Sequence, residues 1–104
     1  MPTATFSRAF TGGKFELGQV VMTVGVNNKV AEDGRFAAFV LRSLGRHANG
    51  DWGDLDDRDK RENDLALKHG DRRIFSAYIA GATKFWIITE WDRTVTTVLF
   101  PDEY

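Results

Sequence analysis

Cysteine is absent from the sequence, and histidine occurs only at His47 and His69. Without cysteine the chain can form neither disulfides nor thiolate chemistry, and it cannot build a cysteine-containing zinc site. The two histidines lack the short spacing of paired metal ligands. We therefore expect no metal and no cofactor, and we expect a reducing compartment, the cytoplasm. The alternative is a site of two histidines and one carboxylate, from Asp51, Asp54 or Asp56.

Long apolar runs and an excess of one charge are also missing. No stretch approaches the roughly 18 to 20 consecutive apolar residues that a membrane-spanning helix needs. Lys and Arg number 14 against 15 Asp and Glu, so the formal net charge is −1. This balance gives no general attraction to nucleic acid or to an anionic membrane. We therefore expect a protein partner and no membrane, and nucleic acid would need a local basic patch that the sequence does not reveal.

Helical patterns occupy the middle of the chain. Residues 27–47 carry apolar positions at helical spacing, with Asp33 as an N-cap between a short first piece and a longer second one. Residues 55–69 have acidic residues in the first turns and basic residues in the last, which suits the helix dipole. Gly70 follows as a natural C-terminal stop. The sequence therefore predicts a short helix followed by two longer ones.

The C-terminal third changes from a helical period to alternation of apolar and polar residues. Residues 73–80, 84–90 and 95–100 are rich in Ile, Val, Thr, Phe and Trp, and their connections are short. Short connections favour hairpins, so these segments predict a three-stranded antiparallel meander. An earlier strand over residues 19–23 is expected to join one edge of this sheet.

These elements predict a single α+β domain over residues 14–104, preceded by a flexible tail over residues 1–13. Its sheet is expected to be antiparallel, with three to four strands. The helices are expected to pack on one face, where the helix containing Phe36, Val40 and Leu44 covers the meander.

An acidic run and two tryptophans are candidate contact residues. Residues 51–64 hold seven acidic and three basic residues, which indicates either capped, salt-bridged helix or an anionic surface that docks on a basic partner. Trp52 lies between two glycines, either as a loop anchor or as an exposed interface residue, and Trp91 raises the same question. The candidate interaction residues are Asp51, Trp52, Asp54, Asp56, Asp57, Asp59 and Trp91.

A second hypothesis is a metal-independent ribonuclease or toxin-like domain. Such an enzyme needs a base for the 2′-hydroxyl and a cation for the phosphorane. His47 is the candidate base, Arg93 the candidate phosphate ligand, and Thr89 and Thr96 are supporting hydrogen-bonding groups. On the alternative interpretation His47 ends a helix, Arg93 completes a hairpin turn, and the threonines only form strands.

The C-terminal half resembles small uncharacterised proteins carried by bacterial plasmids and integrated elements. The resemblance rests on RHxxGDWGDL at residues 46–55, EN at 62–63, SAY at 76–78, WIITE at 86–90 and DRxxTTVLxPxEY at 92–104. It covers a little over half of the chain. It implies a genetic setting, that of an accessory protein of a mobile genetic element, more than a function. Together with the small size, the acidic run and the loop tryptophans, it favours the hypothesis of a protein that acts by protein–protein binding, for example as an inhibitor of a host defence or a nucleic-acid enzyme.

The pattern of the last two strands is also similar to the ribonuclease fold of barnase, EndoU-type toxins, certain colicins and bacterial mRNA interferases. This second likeness implies that His47, Thr89, Arg93 and Thr96 carry the chemistry. Two functions from different classes therefore remain open, a binding protein and a ribonuclease.

Overall fold

The structure is a computed structural model that describes residues 3–5, as backbone, and residues 13–104. It confirms the predicted α+β class. In chain order the elements are β1 (Thr3–Thr5), β2 (Gln19–Thr23), α1 (Val24–Glu32), α2 (Gly34–Ala48), α3 (Asp57–His69), β3 (Ile74–Ala80), β4 (Thr83–Thr89), β5 (Val95–Leu99) and a 3-10 turn (Pro101–Glu103).

The strands form one sheet with the order β1-β2-β5-β4-β3. β3, β4 and β5 pair antiparallel, so the predicted meander is confirmed. β2 joins the edge of the meander as expected, but it runs parallel to β5, with Gln19 opposite Val95. The sheet is therefore mixed. A parallel pair needs a long crossover, and the three helices and the β3–β4 hairpin supply it.

One face of the sheet carries the main core. Side chains alternate between the two faces of a strand, and the face that includes Tyr78, Phe85 and Ile87 is buried beneath α1 and α2. Phe36 of α2 meets Phe85 edge to face, with the ring centroids 5.6 Å apart. Val40 and Leu44 are fully buried in the same cluster. The expectation that this helix covers the meander is confirmed.

The helix ends follow local sequence signals in α2 and α3. Asp33 caps α2, because its Oδ1 accepts hydrogen bonds from the backbone N–H groups of Arg35 and Phe36 at 3.0 and 3.1 Å. Asp56 caps α3 in the same way. Gly70 ends α3 in the left-handed conformation, with φ of 71°.

The start of α1 depends on a residue from the other end of the chain. α1 begins at Val24, three residues before the start of the predicted helical pattern at residue 27. Glu103 Oε2 accepts a hydrogen bond from Gly25 N at 2.9 Å, and Oε1 accepts one from the buried Thr23 hydroxyl at 2.6 Å. The cap is therefore supplied from 78 residues away, where no local pattern could reveal it.

The outer edge of the meander is closed by side chains and a loop. Asn63 on α3 accepts a hydrogen bond from Phe75 N at 3.1 Å and donates one to Phe75 O. Farther along β3, Gly53 forms a parallel bridge with Ala77, and Asp54 N donates to Ala77 O at 2.7 Å. Because an open strand edge invites pairing with other chains, these contacts both protect β3 and fix α3 beside it.

The predicted flexible tail over residues 1–13 lies mostly outside the described residues. Within it, the structure describes Gly13 and the backbone of Thr3–Thr5, which pairs antiparallel with β2 as a strand that the sequence analysis did not anticipate. Across the described part of the chain, no helix has the length and the apolar character needed to cross a bilayer.

Candidate functional site

His47 is the centre of a buried hydrogen-bond chain. It lies in the last turn of α2 and is fully buried. Its Nδ1 is 2.5 Å from Ser76 Oγ, and its Nε2 is 2.9 Å from Thr89 Oγ1. Thr89 Oγ1 is 2.7 Å from Thr96 Oγ1, and the Thr96 hydroxyl donates to Leu17 O at 2.6 Å.

Counting hydrogens along this chain assigns the tautomer of His47. The single hydroxyl hydrogen of Thr96 goes to the Leu17 carbonyl, so the Thr89 hydroxyl donates to Thr96 Oγ1. Thr89 must then accept from His47 Nε2–H. In the neutral form of this imidazole Ser76 donates to Nδ1, and every atom in the chain has a partner.

The surroundings of His47 favour this neutral form. Burial, and secondarily the positive charge of Arg93, lower the pKa of His47 from 6.5 to about 3. The rings of Phe15 and Trp52 enclose it, with centroid distances of 5.4 and 5.9 Å. The structure thus brings His47, Thr89 and Thr96 together as the ribonuclease hypothesis requires, but it places them in the interior, away from any substrate.

Arg93 lies on the turn between β4 and β5, where it takes a left-handed conformation with φ of 61°. Its guanidinium donates to backbone carbonyls of three segments: the turn itself, the segment before β3 and the C-terminal half of α3. Nη1 donates to the carbonyls of Arg72, Glu90 and Trp91 at 2.6, 3.0 and 3.2 Å, and Nη2 donates to that of Ala66 at 3.3 Å.

The guanidinium does not join the His47 chain. Its Cζ lies 5.8 Å from the ring centroid of Phe15. The Phe15 ring in turn contacts the imidazole of His47. Burial lowers the pKa of Arg93 below its ordinary value. A bidentate phosphate contact would have to replace its bonds to the main chain. The geometry fits the alternative interpretation, in which Arg93 completes a turn.

Of the two alternatives left open for Trp52, the structure shows the loop anchor and not the exposed interface residue. Only 3% of it is exposed, and it packs with Ala66 and Ile74 in a second core cluster. Its indole N–H donates to Asp64 Oδ1 at 2.8 Å. The physical reason is the backbone bridge between Gly53 and Ala77 of β3. Because this bridge holds the loop against the sheet, the neighbouring Trp52 ring packs into the core.

The candidate acidic residues divide into two groups. Asp51 forms two hydrogen bonds with Arg46, at 2.7 and 3.2 Å, and this contact is the main cause that lowers the pKa of Asp51. Asp54 pairs with the edge of β3, and Asp56 caps α3. These three hold the fold. The other two are exposed, and their carboxylates have no partner within the described residues: Asp57 and Asp59.

Of the two tryptophans predicted as contact residues, Trp91 is the one that reaches the surface. It is 62% exposed, on the turn that Arg93 fixes. The same guanidinium binds the carbonyl of Ala66 in α3, next to Leu65, which is 42% exposed. The structure therefore brings two exposed apolar residues onto adjoining segments, the β4–β5 turn and α3.

A groove between the α1–α2 corner and the β3–β4 turn was missed by the sequence analysis. Its volume is about 430 Å³, and Lys29, Arg35, Arg42, Phe39 and Thr83 are among the residues that line it. The signal that could have found it is local: α2 carries three arginines and no acidic residue. What the sequence could not show is that Lys29 and the hairpin turn meet this helix.

Candidate metal ligands do not converge in the described part of the chain, where no group of three His, Asp or Glu side chains is arranged to hold an ion. Both ring nitrogens of His47 are engaged with hydroxyls. His69 is exposed at the C-terminal end of α3. The carboxylates suggested as third ligands, Asp51, Asp54 and Asp56, are engaged as described above.

Comparison with known proteins assigns no relative to this chain. No protein-family model matches it, and no significant match was found among curated proteins or solved structures. The two resemblances stated above therefore stay predictions, and the function has to be argued from the geometry.

Proposed function

We propose that this chain is a non-enzymatic binding domain that docks on a protein partner through the β4–β5 turn and the adjoining surface of α3. The observation that carries the proposal is Trp91, whose side chain is 62% exposed on a turn held by the Arg93 guanidinium. Tryptophan is enriched among the residues that dominate the energy of protein interfaces. A large exposed indole on a fixed turn is suited to that role.

The clamp around Arg93 also favours tight binding. A contact residue on a mobile loop loses conformational entropy when it binds, and prior ordering removes part of that cost. Here the turn is tied to α3 and to the segment before β3 by the same side chain. Leu65 adds apolar surface on the neighbouring helix. The turn and the helix together form a preorganised contact surface.

The free carboxylates of α3 indicate the chemistry of the partner. Asp57 and Asp59 lie on the same helix as Leu65 and are not neutralised by a partner among the described residues. Exposed charge of this kind mainly accelerates association with an oppositely charged surface. A basic partner fits, such as the substrate-binding surface of a nucleic-acid enzyme. With the resemblance to mobile-element proteins, this supports an inhibitor of a host defence enzyme, acting in the cytoplasm.

The ribonuclease alternative receives less support from the geometry. A general base must reach the proton that it removes and needs a pKa near the working pH. His47 is fully buried with a pKa of about 3, and Arg93 donates to main-chain carbonyls. The constellation instead serves as a polar network inside the core.

The proposal can be tested with affinity-tagged chains in a host lysate. The Trp91→Ala variant should lose the partner, whereas Ile79→Ala should retain it. Ile79 is 48% exposed but lies at the opposite end of the β3–β4 hairpin, which makes it a matched control. The captured protein is then purified and titrated, and we expect Trp91→Ala to raise its Kd at least about 30-fold, as for an interface hot spot.

The charged residues and the enzyme alternative are tested with the same partner. Replacing Asp57 and Asp59 by Lys should slow association in a salt-dependent way while leaving the fold intact. The binding proposal is wrong if Trp91→Ala and the charge reversal both leave the Kd unchanged while His47→Ala abolishes an RNA-cleaving activity. That combination would establish the ribonuclease in its place.

A further inference from the structure

The groove beside α2 concentrates positive charge. Lys29 comes from α1, and Arg35 and Arg42 come from α2, where they lie seven residues and about 10 Å apart along the helix axis. All three line the same volume of about 430 Å³. They therefore converge from two helices on one space, although the net charge of the whole chain is only −1.

These three cations are not neutralised by the described part of the protein. Arg46 and Arg72 form ion pairs with Asp51 and Glu62, but no ion pair is formed by Lys29, Arg35 or Arg42 within the described residues. One acidic residue, Asp33, lies in the groove lining, and its Oδ1 already accepts two backbone hydrogen bonds at the N-terminus of α2. The groove lining therefore carries three cations against one carboxylate, a formal net charge of +2.

The cationic side chains are also positioned by aromatic rings. Lys29 Nζ lies 5.4 Å from the centroid of the Phe36 ring, and Arg42 Cζ lies 5.7 Å from that of Phe39. Such cation–π contacts hold a charged group in place without neutralising it. Phe39 is partly exposed, and Thr83 contributes a hydroxyl from the hairpin turn. The lining thus combines held cations, a hydroxyl and one apolar wall.

We infer that this groove binds a small phosphate-bearing ligand. Several oxygens with a delocalised negative charge match two guanidinium groups and an ammonium. The volume lies within the range of about 300 to 1,000 Å³ that is typical of small-molecule sites. A ligand with two or more phosphates can engage cations from both helices, so pyrophosphate or a nucleoside diphosphate or triphosphate fits better than a monoanion.

The test uses pyrophosphate and ATP as probes, titrated at low ionic strength by calorimetry or by amide chemical shifts. We expect both to bind, with shifts at α1, α2 and the β3–β4 turn. Arg35→Ala and Arg42→Ala should each weaken binding about tenfold, the loss of one charge-assisted contact. Arg61→Ala is the matched control, since Arg61 is exposed on α3 outside the groove. Its Kd should equal that of the unchanged chain.

Three results would overturn the inference. The first is that neither probe binds at millimolar concentration. The second is that Arg61→Ala weakens binding as much as Arg42→Ala does. The third is that a single-stranded oligonucleotide binds and the two probes do not. The last result would replace the small ligand by a nucleic-acid strand, with a salt dependence of slope about −2 for three neutralised phosphates. The inference is independent of the proposed protein contact, because Arg42→Ala should leave partner capture intact.

Discussion

Lowering the pH from 7 to 5 should destabilise the fold through a single group, His47. Burial and the charge of Arg93 hold its pKa at about 3 in the folded chain, against 6.5 ordinarily. In the unfolded chain the imidazole is exposed and takes up a proton near pH 6.5. Above pH 6.5 the imidazole is neutral in both states, and the free energy of unfolding is at its full value with respect to this group. It then falls progressively as the pH drops from 6.5 towards 3.

The size of the effect follows from these two pKa values. When only the unfolded state binds the proton, the free energy of unfolding falls by about 1.4 kcal/mol per pH unit. Between pH 7 and 5, protonation of an unfolded histidine with a pKa of 6.5 lowers the free energy of unfolding by about 2 kcal/mol. Carboxyl groups have ordinary pKa values near 4, so this window largely isolates the histidines. The free energy of unfolding of a small domain is only about 5 to 15 kcal/mol in total, so the loss is measurable.

Urea unfolding at pH 7, 6 and 5, followed by tryptophan fluorescence, measures this loss directly. The unchanged chain and His69→Gln should both show it, because His69 is exposed. His47→Gln should be less stable at pH 7, since the Ser76 and Thr89 hydroxyls lose their partner, but it should lack the His47 component of the fall. If this variant does not fold, the imidazole shifts of the unchanged chain should still report a neutral His47 at pH 5. Equal losses in all three chains, or a charged His47 at pH 5, would refute the buried network.

Two further substitutions test how the turn and the loop are held. Arg93→Ala should lower the free energy of unfolding by about 2 to 4 kcal/mol in urea titrations, because four backbone carbonyls lose their donor; a loss below about 0.5 kcal/mol would contradict the clamp. Gly53 and Gly70 have similar φ values, 73° and 71°, so replacement by alanine strains the backbone equally at both. Their surroundings differ, because a Cβ at Gly53 would lie 2.0 Å from Ala77 O, whereas Gly70 faces open space. Gly70→Ala should cost about 1 to 2 kcal/mol and Gly53→Ala several more in thermal or urea unfolding. Equal costs would show that the loop does not approach β3 so closely.

The features that sequence predicted well are the local ones. The meander was predictable because its strands alternate and their connections are short, so pairing partners are neighbours in the chain. The start of α2 and the end of α3 were predictable because Asp33 and Gly70 act on backbone groups within a few residues. In each case the residue and the group that it stabilises lie in the same short segment.

Long-range features escaped prediction for the complementary reason. The parallel pairing of β2 with β5 joins residues more than 70 positions apart, and the cap of α1 comes from Glu103. The side chains of His47, Thr89 and Thr96 do meet in the folded chain, but their burial depends on how α2 lies across the sheet, which no local pattern shows. The groove was missed because Lys29 and the hairpin turn meet α2 only in the folded chain.

The motif behind the mobile-element resemblance consists largely of residues that hold this fold together. Gly53 permits the close approach to β3, Asn63 closes its edge, Arg93 clamps three segments, and Glu103 caps α1. Trp91 lies between two motif segments and belongs to neither, and the groove cations also lie outside the motif. A chain that shares the motif is therefore expected to share the architecture and the buried His47 network. The proposed partner contact and the proposed ligand groove depend on other positions, because these surface residues can change without disturbing the contacts that the motif supplies.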